Sequence, residues 1–275
     1  MRRQPTKPGL PRPAEDGVRL QKVLAERGLG SRRLVEAWIE AGRIELNGRR
    51  AKLGDRAKPG DRIMLDGQAL ADPGGATRVR TRVLLYHKPV GELVTRSDPQ
   101  GRPTIFERLP ALESRRWAAV GRLDFNTSGL LLLTDSGQLA HRLMHPSFGL
   151  QREYLARAQG VLAENQLERL RGGVELDGVR AAFERIEPLP GKGNGANRWF
   201  RVVLGEGRNR EVMRLFEAVG ARVGRLVRVR YGTTRLPRDL PAGEWLELDA
   251  ATVAALARHT PSQTPPRFTR GPKIG

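Results

Sequence analysis

The chain has 275 residues, enough for one large domain or two, and carries 49 Lys and Arg against 30 Asp and Glu, a formal net charge of +19. It has no cysteine, which excludes disulfide frameworks, thiolate zinc sites and cysteine nucleophiles together, and fits a reducing cytoplasm. No apolar run nears the ~20 residues that cross a bilayer, so the expectation is a soluble globular protein with no membrane contact, and the charge excess implies a polyanionic partner, nucleic acid above all.

Residues 1–15 are rich in Pro and Arg and read as a flexible basic arm without the apolar core of a secretory signal. Residues 16–70 read as a compact unit. Leu20, Val23 and Leu24 have helical spacing, with Gly28 as a stop. Ser31 is placed to cap a second helix running from Arg32 to Ala41. Arg43-Ile-Glu-Leu-Asn-Gly is a strand entering an Asn-Gly turn, and Lys58-Pro-Gly-Asp is a turn before the strand Arg62–Leu65. This order of helix, turn, helix and small sheet resembles the RNA-binding domain first named from ribosomal protein S-four. The resemblance implies an RNA face made of Arg19, Lys22, Ser31, Arg32, Arg33 and Lys52. The physics agrees: Arg32 and Arg33 sit in a first helical turn, where backbone N–H groups and charge both favour phosphate. The plainer reading, a solvated helix face, is outweighed by the charge of the whole chain.

Residues 71–79 have the Pro and Gly content of a linker, and 80–258 read as the second domain. Val83–Tyr86 is a strand, and His87-Lys88-Pro89-Val90-Gly91 a turn. Trp117-Ala-Ala-Val120 and Leu130–Leu133 are apolar runs expected to pair as strands, with Asp124 held in the polar turn between them. Asp135 is placed to cap a helix to His145, ended by Pro146. Strands follow at Glu153–Arg157 and Trp199–Leu204, and helices at Leu162–Leu170 and Arg210–Val219, the latter stopped by Gly220. Gly224–Gly232 alternates charged and apolar residues, as a strand with one face toward RNA does. Strands and helices mix without regular βαβ alternation, so the fold class is α+β. His141 and His145 are one helical turn apart, but two ligands do not complete a zinc site, and no metal is expected. The tail at 259–275 lacks acidic residues and reads as disordered and basic.

An aspartate in a turn ordinarily bonds its own backbone. Asp124 sits beside Arg122, however, and a neighbouring guanidinium keeps a carboxylate ionised. A fixed, ionised carboxylate at the mouth of a sheet suits covalent or acid–base chemistry. The stretch GRLDFNTSGLLLLT resembles the catalytic signature of the bacterial rRNA pseudouridine synthases of the RsuA/RluB type. YHKPVGELVTRSDPQGRPT, HRLMHPS, REYLAR and GEGRNREV…RLFEAVG…RLVRVRYG occur in the family's order, so the resemblance spans residues 17–258. REVxRLFEAVG and RVRYGTTRLP side with its large-subunit (23S) rRNA branch.

That resemblance implies a small S-four-like domain followed by a catalytic domain with a mainly antiparallel mixed sheet flanked by helices. It implies isomerisation of uridine to pseudouridine in a large-subunit rRNA stem-loop, free or in an assembling pre-ribosomal particle, with no metal and no cofactor; a cytoplasmic protein is expected from the lack of cysteine, and a monomer from the lack of sustained heptads. Carried over residue by residue, Asp124 is the nucleophile, attacking C1′ or assisting glycal formation on a flipped-out uridine. Tyr154 stacks on the uracil and Leu226 packs beside it. Arg208, Arg210 and Arg214 surround the start of the last core helix. Arg122 and Arg96 are further backbone contacts, and Lys88-Pro89 shapes a loop near the catalytic turn. One position departs. The family carries Arg or Lys where this chain has Met213, and that cation pairs with the nucleophilic Asp. The expectation is that Arg210 or Arg214 reaches Asp124 instead. Met213 also sustains the rival reading, a non-catalytic rRNA-binding ribosome-assembly factor.

Overall fold

The fold is seen in a computed structural model that describes residues 17–70, 80–112, 115–145, 148–160, 162–190, 197–258 and the strand at 268–270. The expected arm at 1–15, the linker at 71–79 and the helix stop at Pro146 lie outside the described residues. The chain divides into two compact units, Met1–Val79 and Arg80–Gly275.

The first unit runs β1 (Val18–Arg19), α1 (Leu20–Glu26), α2 (Arg32–Glu40), β2 (Ile44–Leu46), β3 (Arg49–Arg50), β4 (Arg56–Ala57), β5 (Ile63–Leu65) and β6 (Gln68–Ala69). The Ser31 hydroxyl accepts from the Leu34 N–H at 3.1 Å, capping α2 as the sequence implies. Asn47 (φ 52°) and Gly48 (φ 78°) both take the left-handed conformation that a tight two-residue hairpin turn requires. The four-stranded sheet β3-β2-β5-β6 and both helices close over Leu20, Leu24, Val35, Ile39, Ile44 and Ile63, each 3% exposed or less.

The second unit runs β7 (Val83–Lys88), β8 (Ala118–Ala119), β9 (Thr127–Thr134), α3 (Gly137–Met144), β10 (Arg152–Gln159), α4 (Glu164–Gly172), β11 (Val174–Leu176), β12 (Val179–Ala181), β13 (Arg185–Pro188), β14 (Asn197–Leu204), α5 (Glu211–Glu217), β15 (Arg222–Tyr231), β16 (Thr234–Arg235), β17 (Trp245–Leu248), α6 (Ala250–Arg258) and β18 (Phe268–Arg270). Its main sheet has the order β13-β14-β10-β15-β9-β7-β17-β18, with β16 on β15 and β8 on β9. β15 pairs with β9 in parallel, and the other pairs are antiparallel, so the unit is the α+β mixed sheet expected.

The run of leucines in β9 follows from its place in the sheet. Leu131 and Leu133 enter a core with Leu167 and Leu170 of α4 and Val212, Leu215 and Phe216 of α5. Leu130 and Leu132 enter a second core with Leu139 and Leu143 of α3 and Val253 and Leu256 of α6. A strand covered on both faces reads as continuous apolar sequence rather than alternation.

Several expectations need correction. β7 runs two residues past Tyr86, because His87 and Lys88 still pair with Leu130 and Gly129 of β9. α3 is capped by Ser136, whose side chain accepts from the Leu139 N–H at 3.2 Å. Asp135 instead accepts from the Arg82 N–H at 2.9 Å and pairs with Arg115 at 3.0 Å. The tail is not wholly unstructured: Phe268–Arg270 pair antiparallel with β17, and the remainder of 259–275 lies outside the described residues.

Candidate active site

The two apolar runs around Asp124 do pair. Ala118 faces Thr134 and Ala119 faces Leu133, and the Val120 N–H donates to the Leu132 carbonyl at 2.8 Å. The chain then turns at Gly121 (φ 76°), and the Thr127 N–H donates to the Asp124 carbonyl at 3.0 Å to close the loop.

A buried cation pins this loop. Lys88, fully buried at the end of β7, donates from Nζ to the carbonyls of Pro89 (2.9 Å), Asp124 (3.1 Å) and Thr127 (2.9 Å). Three charge-assisted bonds to backbone fix both ends of the turn. Burial pulls the Lys88 pKa down to about 8, against the opposing pull of Glu92 and Asp124. Behind it, the Tyr86 hydroxyl donates to Glu92 at 2.5 Å, and Arg108 pairs with Glu92 at 3.0 Å. The Gly91 N–H bonds the Phe125 carbonyl at 2.9 Å, tying the Pro89–Gly91 loop to the Asp124 turn.

Asp124 itself is exposed and lines a cleft of about 520 Å³. Arg122, Tyr154, Leu226, Arg208 and Arg210 line the same cleft. Sequence reasoning therefore gathered six residues from four separate segments around one space. Tyr154 and Leu226 are largely buried in the cleft wall, with relative exposures of 9% and 5%. A nucleobase inserted there meets an aromatic ring and an aliphatic side chain.

Two expectations fail. Arg214 does not line the cleft and instead pairs with Asp177 at 2.7 Å, in the turn between β11 and β12. Arg210 lines the cleft, but its nearest described carboxylate is Glu217 at 4.0 Å. Among the described residues neither guanidinium bonds the Asp124 carboxylate, and Arg122 forms no ion pair with it either. The reason is how the residues around the start of α5 are turned. Arg210 precedes the helix in a left-handed conformation (φ 50°), and the helix starts only at Glu211. Met213 packs against the apolar core, and Arg214, about 100° further round, faces the hairpin. Arg96 is also redirected: it donates to the Trp117 carbonyl and lies over the Phe106 ring at 4.4 Å.

Among the cleft residues that went unnoticed in the sequence are Arg152, Arg228, Tyr231 and Glu211. Glu211 is 3% exposed, accepts from the Arg208 N–H at 3.0 Å, and has its pKa raised chiefly by burial. The signal for the arginines was present in REYLAR and RLVRVRYG, but alternation alone does not say which arginine turns inward.

In the first unit, Arg19, Ser31, Arg32, Arg33 and Lys52 are exposed. Lys22 is half-buried and lies 3.9 Å from Glu26, so it is partly neutralised.

Residues 82–218 match the RNA pseudouridylate synthase family, and residues 18–63 match the S4 domain. The ribosomal large subunit pseudouridine synthase B of Salmonella typhimurium is 54% identical over 235 residues, 85% of this chain and 80% of that one. The protein of the same name from Escherichia coli strain K12 is also 54% identical over 85% of this chain and 80% of that one. That of Pseudomonas aeruginosa is 51% identical over 241 residues, 88% of this chain and 62% of its own. A solved pseudouridylate synthase structure superposes with a TM-score of 0.59 at 26% identity, covering 87% of this chain and 99% of that one. An exposed turn aspartate on an open cleft, on a chain with these relatives, leaves one assignment: the protein belongs to the bacterial rRNA pseudouridine synthases of the RsuA/RluB family, and is an isomerase.

Proposed function

We propose that this enzyme isomerises one uridine of large-subunit rRNA to pseudouridine, with Asp124 acting on the ribose of a nucleotide drawn out of its stem. In the reaction the N1–C1′ bond breaks, the uracil turns, and a C5–C1′ bond forms. The proton on C5 is lost and N1 gains one. The change is redox-neutral and consumes no water, so a positioned carboxylate is the chief chemical demand.

The observation that carries this reading is the placement of Asp124. Its backbone is held through Lys88, its carboxylate is exposed on the cleft, and Tyr154 and Leu226 form the wall. The carboxylate attacks C1′ directly or assists glycal formation, and in either course its charge stabilises an electron-poor sugar. Tyr154 stacks on the uracil and limits its motion while it is detached. Arg122, Arg208 and Arg210 draw the RNA backbone toward the rim, and the first unit adds Arg19, Ser31, Arg32, Arg33 and Lys52 as a second RNA contact. The enzyme works as a monomer in the cytoplasm.

Site-by-site pseudouridine mapping of rRNA with and without the gene tests this. The expected result is loss of one large-subunit pseudouridine, restored by the wild-type gene but not by Asp124→Asn. The rival reading, a non-catalytic assembly factor, draws on the absence of a described cation against the Asp124 carboxylate. An unchanged pseudouridine map with delayed subunit assembly would establish that rival.

A further inference from the structure

The cleft holds a second group of residues that the chemistry above does not use. Arg152 and Arg228 are 7% and 3% exposed, and both line the cleft. Both guanidinium carbons lie 5.1 Å from the centre of the Tyr231 ring, so one aromatic side chain carries two cations. Arg152 donates to the carbonyls of Leu150 (2.8 Å) and Gly205 (2.9 Å) and to the Tyr231 hydroxyl (3.2 Å). Arg228 donates from Nε to the Leu130 carbonyl at 2.8 Å, while its buried Nη2 has no partner. Among the described residues, no carboxylate pairs with either arginine.

A β-bulge builds this arrangement. Tyr154 pairs with Arg228 while its neighbour Glu153 pairs with Arg230, so Val229 is an extra residue in β15. Arg228 and Arg230, two apart, would otherwise share a face. With the bulge, Arg230 turns to Glu153 at 2.9 Å, and Arg228 stays on the side of Tyr154 and Leu226. The strand thus neutralises one arginine and leaves the other without a counterion. Gly207 completes the opening. A Cβ there would lie 3.5 Å from Arg152 Nε and 3.6 Å from its Cζ, so the glycine leaves that flank without a covering side chain.

Burying two guanidinium groups against one ring is costly unless an anion joins them. Glu211 is in the same cleft, but its burial favours the neutral acid, and its Oε2 is taken by the Arg208 N–H. The anion that accompanies a uridine into the cleft is its own backbone phosphate. We propose that Arg152 and Arg228, mounted on Tyr231, form a subsite for one RNA backbone phosphate at the extruded nucleotide. This rests on the reading of the cleft as the uridine site. It gives the cleft a means of gripping the sugar–phosphate independently of the base.

The test is a large-subunit rRNA stem-loop that the protein binds, synthesised with a single neutral methylphosphonate at each backbone position in turn. Wild-type protein should show one position near the target uridine where the replacement weakens binding by roughly tenfold or more, the loss of a charge-assisted hydrogen bond. Arg228→Met should bind the unmodified RNA more weakly and lose sensitivity at that position alone. Gly207→Val, which leaves both guanidinium groups in place and crowds the flank of Arg152, should do the same, and stands in if Arg228→Met does not fold. Equal sensitivity of wild type and variants at every position would overturn the subsite. Because binding is the readout, a failure here is distinct from a failure to form pseudouridine.

Discussion

At the scale of single residues, Asp124 is the acidic group that the fold leaves uncovered in the cleft while fixing its backbone. Lys88 does the fixing, and its burial makes a prediction. Its pKa falls from 10.5 to about 8 on folding, so between those values the folded protein binds fewer protons than the unfolded chain. Stability should therefore rise with pH across that window, by at most about 1.4 kcal/mol per pH unit, and the contribution should be flat below it. Denaturant unfolding of wild type and Lys88→Met from neutral pH upward checks this: the difference between the two proteins should move in favour of wild type only within the window. A constant difference would contradict the buried charge. A second prediction concerns Arg214. Its pairing with Asp177, outside the cleft, means that Arg214→Gln should keep turnover within about threefold and change stability by less than about 0.5 kcal/mol, as exposed pairs do. A large loss of turnover would restore the expectation, drawn from sequence, that Arg214 serves Asp124.

At the scale of elements, the junction of β9 and β15 is the tightest constraint. Gly129 has φ 111°, and a Cβ on it would lie 2.2 Å from the Arg228 carbonyl oxygen. Gly129→Ala should cost about 3 kcal/mol or more, by combined strain and overpacking, and misplace both Arg228 and the Asp124 turn. Thermal unfolding that left the variant unchanged would show that the two strands do not approach so closely. The same junction shows what the sequence could and could not reveal. The flanking strands of Asp124 were legible because Trp117–Val120 and Leu130–Leu133 are apolar runs bounding a polar turn, a local signal. The cap at Ser31 was legible for the same reason. The inward turn of Arg228 was not, because it depends on a one-residue bulge against β10, and register between distant strands leaves no mark on composition. The misassigned Asp135 shows a related limit. Either Asp135 or Ser136 could cap α3, and the choice was made by Arg82 and Arg115, distant in sequence. Arg214 does not line the cleft because its side of α5 meets the turn between β11 and β12, and helical spacing alone does not say which face of a helix meets the cleft.

At the scale of the whole molecule, the charge of +19 is distributed over two units, each with exposed arginines, and RNA affinity should fall steeply with salt. Arg32→Gln with Arg33→Gln should weaken rRNA binding and lower the salt dependence by roughly one to two released counterions, while the rate of bound substrate stays near wild type; filter binding and single-turnover assays separate the two. If the rate fell and affinity did not, the first unit would be acting on catalysis rather than capture. The proposed chemistry, however, turns on one carboxylate. The direct measurement is release of tritium from the C5 position of uridine-labelled large-subunit rRNA, by wild type and by Asp124→Asn, at matched RNA occupancy. The wild type should release tritium and the variant none, with comparable RNA affinity for both. Release by Asp124→Asn at the wild-type rate would contradict that chemistry.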